Sequence, residues 1–200
     1  VGQDLREHAD DLASGRSDLD TVTEHYNPIV SALTSLPMPV VAADNGMAAG
    51  AGAALALACD FRIAAEDAGF LMAFARVGLG PDSGSSWTLQ RLVGLGRATA
   101  MLLLAEPVTA QQAIEMGLVN IVVPSADLLP TASELAARLA AGPTVAYAAI
   151  KEAVAYGADH SLIDTLARED VLQTRAGATQ DHRTAVNAFV KKETPRFEGR

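Results

Sequence analysis

The chain has 200 residues, half of them hydrophobic, and a mean hydropathy of +0.19, enough apolar material for a large core. A formal net charge of −9 with no basic stripe argues against a nucleic-acid partner. The single cysteine, Cys59, excludes an internal disulfide and fits a reducing, cytoplasmic setting.

Residues 1–36 are polar and of mixed charge. They show no basic stretch followed by an apolar one, so no signal peptide is read. The opening "VGQDL" reads like the middle of a longer sequence. "DLREHADDLASG" predicts a short helix followed by a Gly-Ser linker, and "DTVTEHYNPIVSALTSL" predicts a helix over about residues 20–36. Thr21 and Glu24 have capping-box spacing, whereas Pro28 interrupts the helical pattern. Residues 40–43 of "PMPVVAADNG" are expected as a buried strand. "MAAGAGAALALACD" reads as a Gly-rich turn entering an Ala-Leu helix, and this run is too short to span a bilayer. "FRIAAE" and "AGFLMA" are expected as two more strands. Strand, helix and strand alternate here, which argues for an α/β core.

From Ser86 on the chain reads as almost entirely helical. "SSWTLQRLVG" and "GRATAMLLLAE" are helices joined at glycine. "TAQQAIEMGLV" has Thr109 as N-cap and Gly117 just past its end. "NIVVP" is a brief strand. Three amphipathic helices follow, the second with Pro143 at its first position. "TQDHRTAVNAFVKKETPRF" closes the chain as a helix and a basic tail.

Two stretches carry candidate chemistry. The turn "NGMAAGAGAAL" follows a strand and opens a helix, as a dinucleotide-binding fingerprint does. Its third glycine position falls on Leu55, too large for close packing, which argues against a nicotinamide site. The same turn presents free backbone N–H groups at a helix N-terminus, as an oxyanion site requires. Tight packing of glycines is the alternative reading. The second stretch is "VGLGPDSGSSW". Asp82 there is either a turn acid or a base, because apolar neighbours can suit a carboxylate to proton transfer near neutrality. Ser83, Ser85 and Ser86 crowd the same loop, but the nucleophile-elbow pattern is missing. His8, His25, His160 and His182 have no metal-ligand spacing, so no metal is expected.

"PMPVVAADNGMAAGAGAALALACDFRIAAEDAGF", "AEPVTAQQAIEMGLVNIVVP" and "AFVKKETPRF" together resemble the enoyl-CoA hydratase/isomerase, or crotonase, superfamily. The resemblance runs over essentially the whole chain. It implies an α/β, crotonase-like ββα superhelical core over residues 1–124 and a C-terminal helical trimerisation region over 125–200. It also implies that the family's preceding N-terminal strands are missing from this sequence. By motif position, the backbone N–H groups of Gln3 and Ala51 would stabilise a thioester enolate. The family's two water-activating glutamates fall here on Ala54 and Phe74, which puts ordinary hydration in doubt. Asp82 remains, at the loop position where the superfamily's isomerases carry an acid. "HYNP" and "FLMAFARVGLGPDSGSSW" resemble the epoxyphenylacetyl-CoA isomerase branch of phenylacetate degradation.

The resemblance therefore implies an acyl-CoA isomerase with Asp82 as a one-base shuttle. Phe70, Met72, Phe74 and Trp87 would line the acyl pocket, and Lys191, Lys192 and Arg196 would approach coenzyme A phosphates or stay solvated. A coenzyme A thioester is the expected substrate, with no separate cofactor. The expected partner is a second and third copy of the chain, as a homotrimer or dimer of trimers, with no nucleic acid and no membrane. A weak hydratase and a non-catalytic acyl-CoA-binding homologue are the alternatives.

Overall fold

The computed structural model describes residues 2–15 and 20–200. The first residue of "VGQDL" and most of the expected Gly-Ser linker lie outside them. Two compact units are present. One comprises residues 2–15 and 20–35 with Val40–Ser133, the other Leu36–Pro39 with Glu134–Arg200.

In the first unit, α1 (Leu5–Ala13) and α2 (Asn27–Ser35) precede β1 (Val41–Asp44), β2 (Met47–Ala49) and α3 (Ala51–Ala58). Then come β3 (Phe61–Ala65), β4 (Gly69–Leu71), α4 (Ser85–Val93) and α5 (Leu95–Leu104). β5 (Val108–Thr109), α6 (Ala110–Glu115) and β6 (Ile121–Val123) follow, and α7 (Leu128–Ala140) carries the boundary between units.

The strands form two three-stranded sheets, β1-β3-β6 and β2-β4-β5. The first is wholly parallel, with Val41 opposite Phe61 and Ile63 opposite Ile121. In the second, β2 runs parallel to β4 and β5 antiparallel to it. Consecutive strands thus go to different sheets before a helix intervenes, the ββα repeat expected from the resemblance. The central strand β3 is covered on both faces, with Ile63 and Ala64 fully buried, as a near-continuous apolar parallel strand must be. The alanines of α3 have the same cause, since Ala53 and Ala54 are wholly buried. At Gly69 a β-carbon would lie 2.8 Å from the Val108 carbonyl oxygen, so this close strand approach admits glycine alone.

Two charged groups sit in the first sheet. Arg62 is buried and donates from Nε to the Leu118 carbonyl (2.6 Å) and from a terminal nitrogen to that of Cys59. Asp44 ends β1 with Oδ2 buried and without a hydrogen-bond partner. Burial pushes its carboxyl up to about 6, against the opposing pull of Arg62.

Several expectations are corrected. The first strand begins one residue later than expected and includes Asp44. Part of the Gly-rich turn is strand β2, because three residues suffice to pair with Gly69–Leu71. The half read as helical also contains β5. Thr21 makes no capping bond, because it is itself in a helical conformation ahead of a π-type turn over Val22–Tyr26. That wider turn, closed by the Asn27 N–H on the Val22 carbonyl, precedes Pro28, which has no N–H for a regular bond. Thr109, by contrast, forms a complete capping box with Gln112, and Gly117 follows the helix with φ +80°.

The second unit holds α8 (Thr144–Gly157), α9 (Leu162–Gly177) and α10 (Gln180–Lys191). Pro143 is the N-cap of α8, one residue earlier than expected. Glu152 of α8 accepts from Arg168 and Arg175 of α9. Buried Asp181 accepts the backbone N–H groups of Glu198 (2.7 Å) and Gly199 (2.9 Å), fastening the tail to the start of α10.

Candidate active site

The turn from β2 into α3 needs glycine at one point. Gly50 has φ +51°, and its N–H donates to the Leu71 carbonyl (2.9 Å), tying the turn to the end of β4. Ala51 is then the first residue of α3, so its N–H has no carbonyl one turn back within the helix. The positive end of the helix dipole adds to it.

Gly2 lies against this turn. A β-carbon built on it would stand 2.7 Å from the Ala49 carbonyl oxygen, 3.2 Å from the Ala51 nitrogen and 3.5 Å from that of Gly52. The fold therefore brings the backbone beside Gln3, which is half-buried, to the Ala51 amide from 48 residues away. The Ala51 N–H, at the helix N-terminus beside this segment, can hold negative charge developing on a carbonyl oxygen.

The acidic loop lies at the start of α4, which packs on α3. Asp82 is half-buried. Its carbonyl accepts the N–H (2.9 Å) and the hydroxyl (2.7 Å) of Ser85. Its carboxylate Oδ1 accepts the hydroxyl of Ser83 at 2.8 Å. The N-cap of α4 is Gly84, with φ +73° and no side-chain cap, so the Asp82 carboxylate is not spent on the helix end. A β-carbon on Gly84 would touch Val30 Cγ1 at 3.5 Å, which seats α2 over this loop.

Tyr26, four residues before Val30, points the same way around the helix. Burial first, then the charges of Asp82 and Glu7, push its phenol up. Tyr26 is a site neighbour that the sequence reading did not single out. The i, i+4 spacing of Tyr26 and Val30 was the available signal, but nothing local tied that face to a loop more than fifty residues away.

The remaining candidates divide. Ala54 is fully buried in α3, and Phe74 is buried in a 3₁₀ turn over Ala73–Val77, so no carboxylate stands at either place. Phe70 of β4 and Met72 just after it are fully buried. Trp87 of α4 is 45 % exposed, and the Arg91 guanidinium lies 3.8 Å from its ring centroid. Lys191, Lys192 and Arg196 belong to the other unit and are exposed. Among the described residues no group of three His, Cys, Asp or Glu side chains could hold a metal ion, and no helix is long and apolar enough to cross a membrane.

The family described as enoyl-CoA hydratase/isomerase matches residues 1–200. A probable enoyl-CoA hydratase of Rhodobacter capsulatus is 46 % identical over 199 residues, spanning 100 % of this chain and 76 % of that protein. The 1,2-epoxyphenylacetyl-CoA isomerase of Escherichia coli is 42 % identical over 201 residues, spanning 100 % of this chain and 77 % of that protein. The crystal structure of an enoyl-CoA hydratase from Bacillus anthracis superposes with a TM-score of 0.90 at 34 % identity, over 100 % of this chain and 76 % of that one.

Proposed function

The chain belongs to the enoyl-CoA hydratase/isomerase family, and from that premise we propose that it is an acyl-CoA isomerase. The thioester carbonyl rests on the N–H groups of Gln3 and Ala51. Asp82 removes a proton from the acyl chain, the enolate is held by the two amides, and the same carboxyl returns the proton at another carbon. The product is a shifted double bond or, on a ring epoxide, a rearranged ring.

The observation that carries this reading is the occupancy of three positions. Asp82 is a half-buried carboxylate whose side chain is free of helix capping, while Ala54 and Phe74 supply no second acid. One base suffices to move a proton, whereas adding water needs one group to activate it and another to deliver a proton. Phe70, Met72 and Phe74 support an apolar acyl group, with Trp87 at its exposed end. The identity to the epoxyphenylacetyl-CoA isomerase supports an aromatic acyl group and a place in phenylacetate degradation. The enzyme acts in the cytoplasm as a homotrimer or a dimer of trimers. Lys191, Lys192 and Arg196 meet the coenzyme A phosphates of a neighbouring subunit.

Asp82→Asn is expected to lower isomerisation of a 3-enoyl-CoA about a hundredfold or more. Undiminished turnover would remove the proposal. Hydration is the second reading, favoured by the 46 % identity to a probable hydratase. Reaction in ¹⁸O-labelled water separates the two, because only hydration places solvent oxygen in the product.

A further inference from the structure

We propose that Ser83 is the positioning residue of the shuttle, holding the Asp82 carboxylate in the one orientation from which it reaches the acyl chain. The inference rests on the reading of Asp82 given above.

Ser83 is 2 % exposed, yet its hydroxyl is spent on no backbone group and donates instead to Asp82 Oδ1 at 2.8 Å. Its own backbone is the reason it can do so. Ser83 has φ +51° and Gly84 φ +73°, two left-handed residues in succession. A residue bearing a β-carbon rarely adopts that conformation, and strain of this kind gathers where geometry is under functional demand. Glycine would serve the turn without strain, as it does one residue later. Serine there adds a hydroxyl to the loop, directed at the adjacent carboxylate.

The effect on Asp82 follows from its bonding. Ser85 fixes the main chain through the Asp82 carbonyl, and Ser83 fixes the side chain through Oδ1. Oδ2 accepts no hydrogen bond among the described residues, which leaves it available to a substrate proton. The Tyr26 phenol lies within the electrostatic reach of this carboxylate and of Glu7 in α1. The Ser83 bond leaves the carboxylate held at one oxygen and open at the other.

The test compares Ser83→Ala, Ser83→Gly and Asp82→Asn in the full chain, with a 3-enoyl-CoA as the probe. Ser83→Ala removes the hydroxyl and keeps the strain. Ser83→Gly removes both. Each is expected to lower kcat about tenfold or more with KM unchanged, as loss of a bond to a charged group that matters only in the reacting complex would do. Ser83→Gly is expected to melt no lower than Ser83→Ala, which separates lost orientation from lost stability. Wild-type kcat in Ser83→Gly, or a loss confined to KM, overturns the inference while leaving Asp82 as the base. If Ser83→Ala does not fold, Ser83→Gly decides alone. Full activity in Asp82→Asn removes the shuttle reading and this inference with it.

Discussion

Asp44 shows how a single side chain sets a pH response. Its folded-state pKa, pushed up to about 6 by burial, lies above the ordinary 3.8, so the folded protein favours the protonated form. Its contribution to stability is complete below about 4 and is lost as pH rises through about 6. Asp44→Asn is therefore expected to raise stability at pH 8 by on the order of 1 kcal/mol, after allowance for partial exposure, and to leave it unchanged near pH 4. Urea unfolding at the two pH values measures the difference. A carboxylate with an unpartnered buried oxygen is a poor choice for stability alone. Arg62 offsets only part of its cost.

At the scale of elements, the proposed oxyanion site depends on how closely a loop meets a helix end. Gly2→Ala would set a methyl group 2.7 Å from the Ala49 carbonyl oxygen, so the segment carrying Gln3 must move off the turn. A displacement of that size in a reacting geometry costs about ten- to a hundredfold in kcat, measured by steady-state kinetics on the 3-enoyl-CoA probe. This contact is also where the sequence stopped being informative. The Ala-rich helix α3, the strand β3 and the Thr109 cap were legible because their signals are local: an unbroken apolar run of small residues, a short apolar segment between turn signals, a hydroxyl three residues before a glutamine. β2 was hidden, because a three-residue strand owes its existence to its partner β4 and carries no periodicity of its own. The π-type turn before Pro28 was hidden too, since the proline announces a break but not its form. Asp82 stood out by its apolar surroundings. Its bond from Ser83 did not, because a left-handed serine reads as any other serine.

For the whole molecule, the second unit exposes Ile150, Val154, Leu162, Ile163, Val171, Phe189 and Val190 on its helices. So many large apolar side chains in water favour association, which accords with the proposed trimer. Sedimentation velocity is expected to find three or six copies, and Phe189→Asp to shift the protein toward smaller species. Phe189 is 85 % exposed, so the substitution is expected to leave the protomer's fold intact, within about 0.5 kcal/mol. In the first unit, the routing of the strands has a consequence of its own. β1 and β2 are neighbours in the chain but lie in different sheets, and so do β3 and β4. Neither sheet can be peeled away while the other stays folded, because every short connection stitches the two together. The slowest-exchanging amides of β3 and β4 are therefore expected to open as one cooperative unit, with a common free energy, despite belonging to separate hydrogen-bonded ladders.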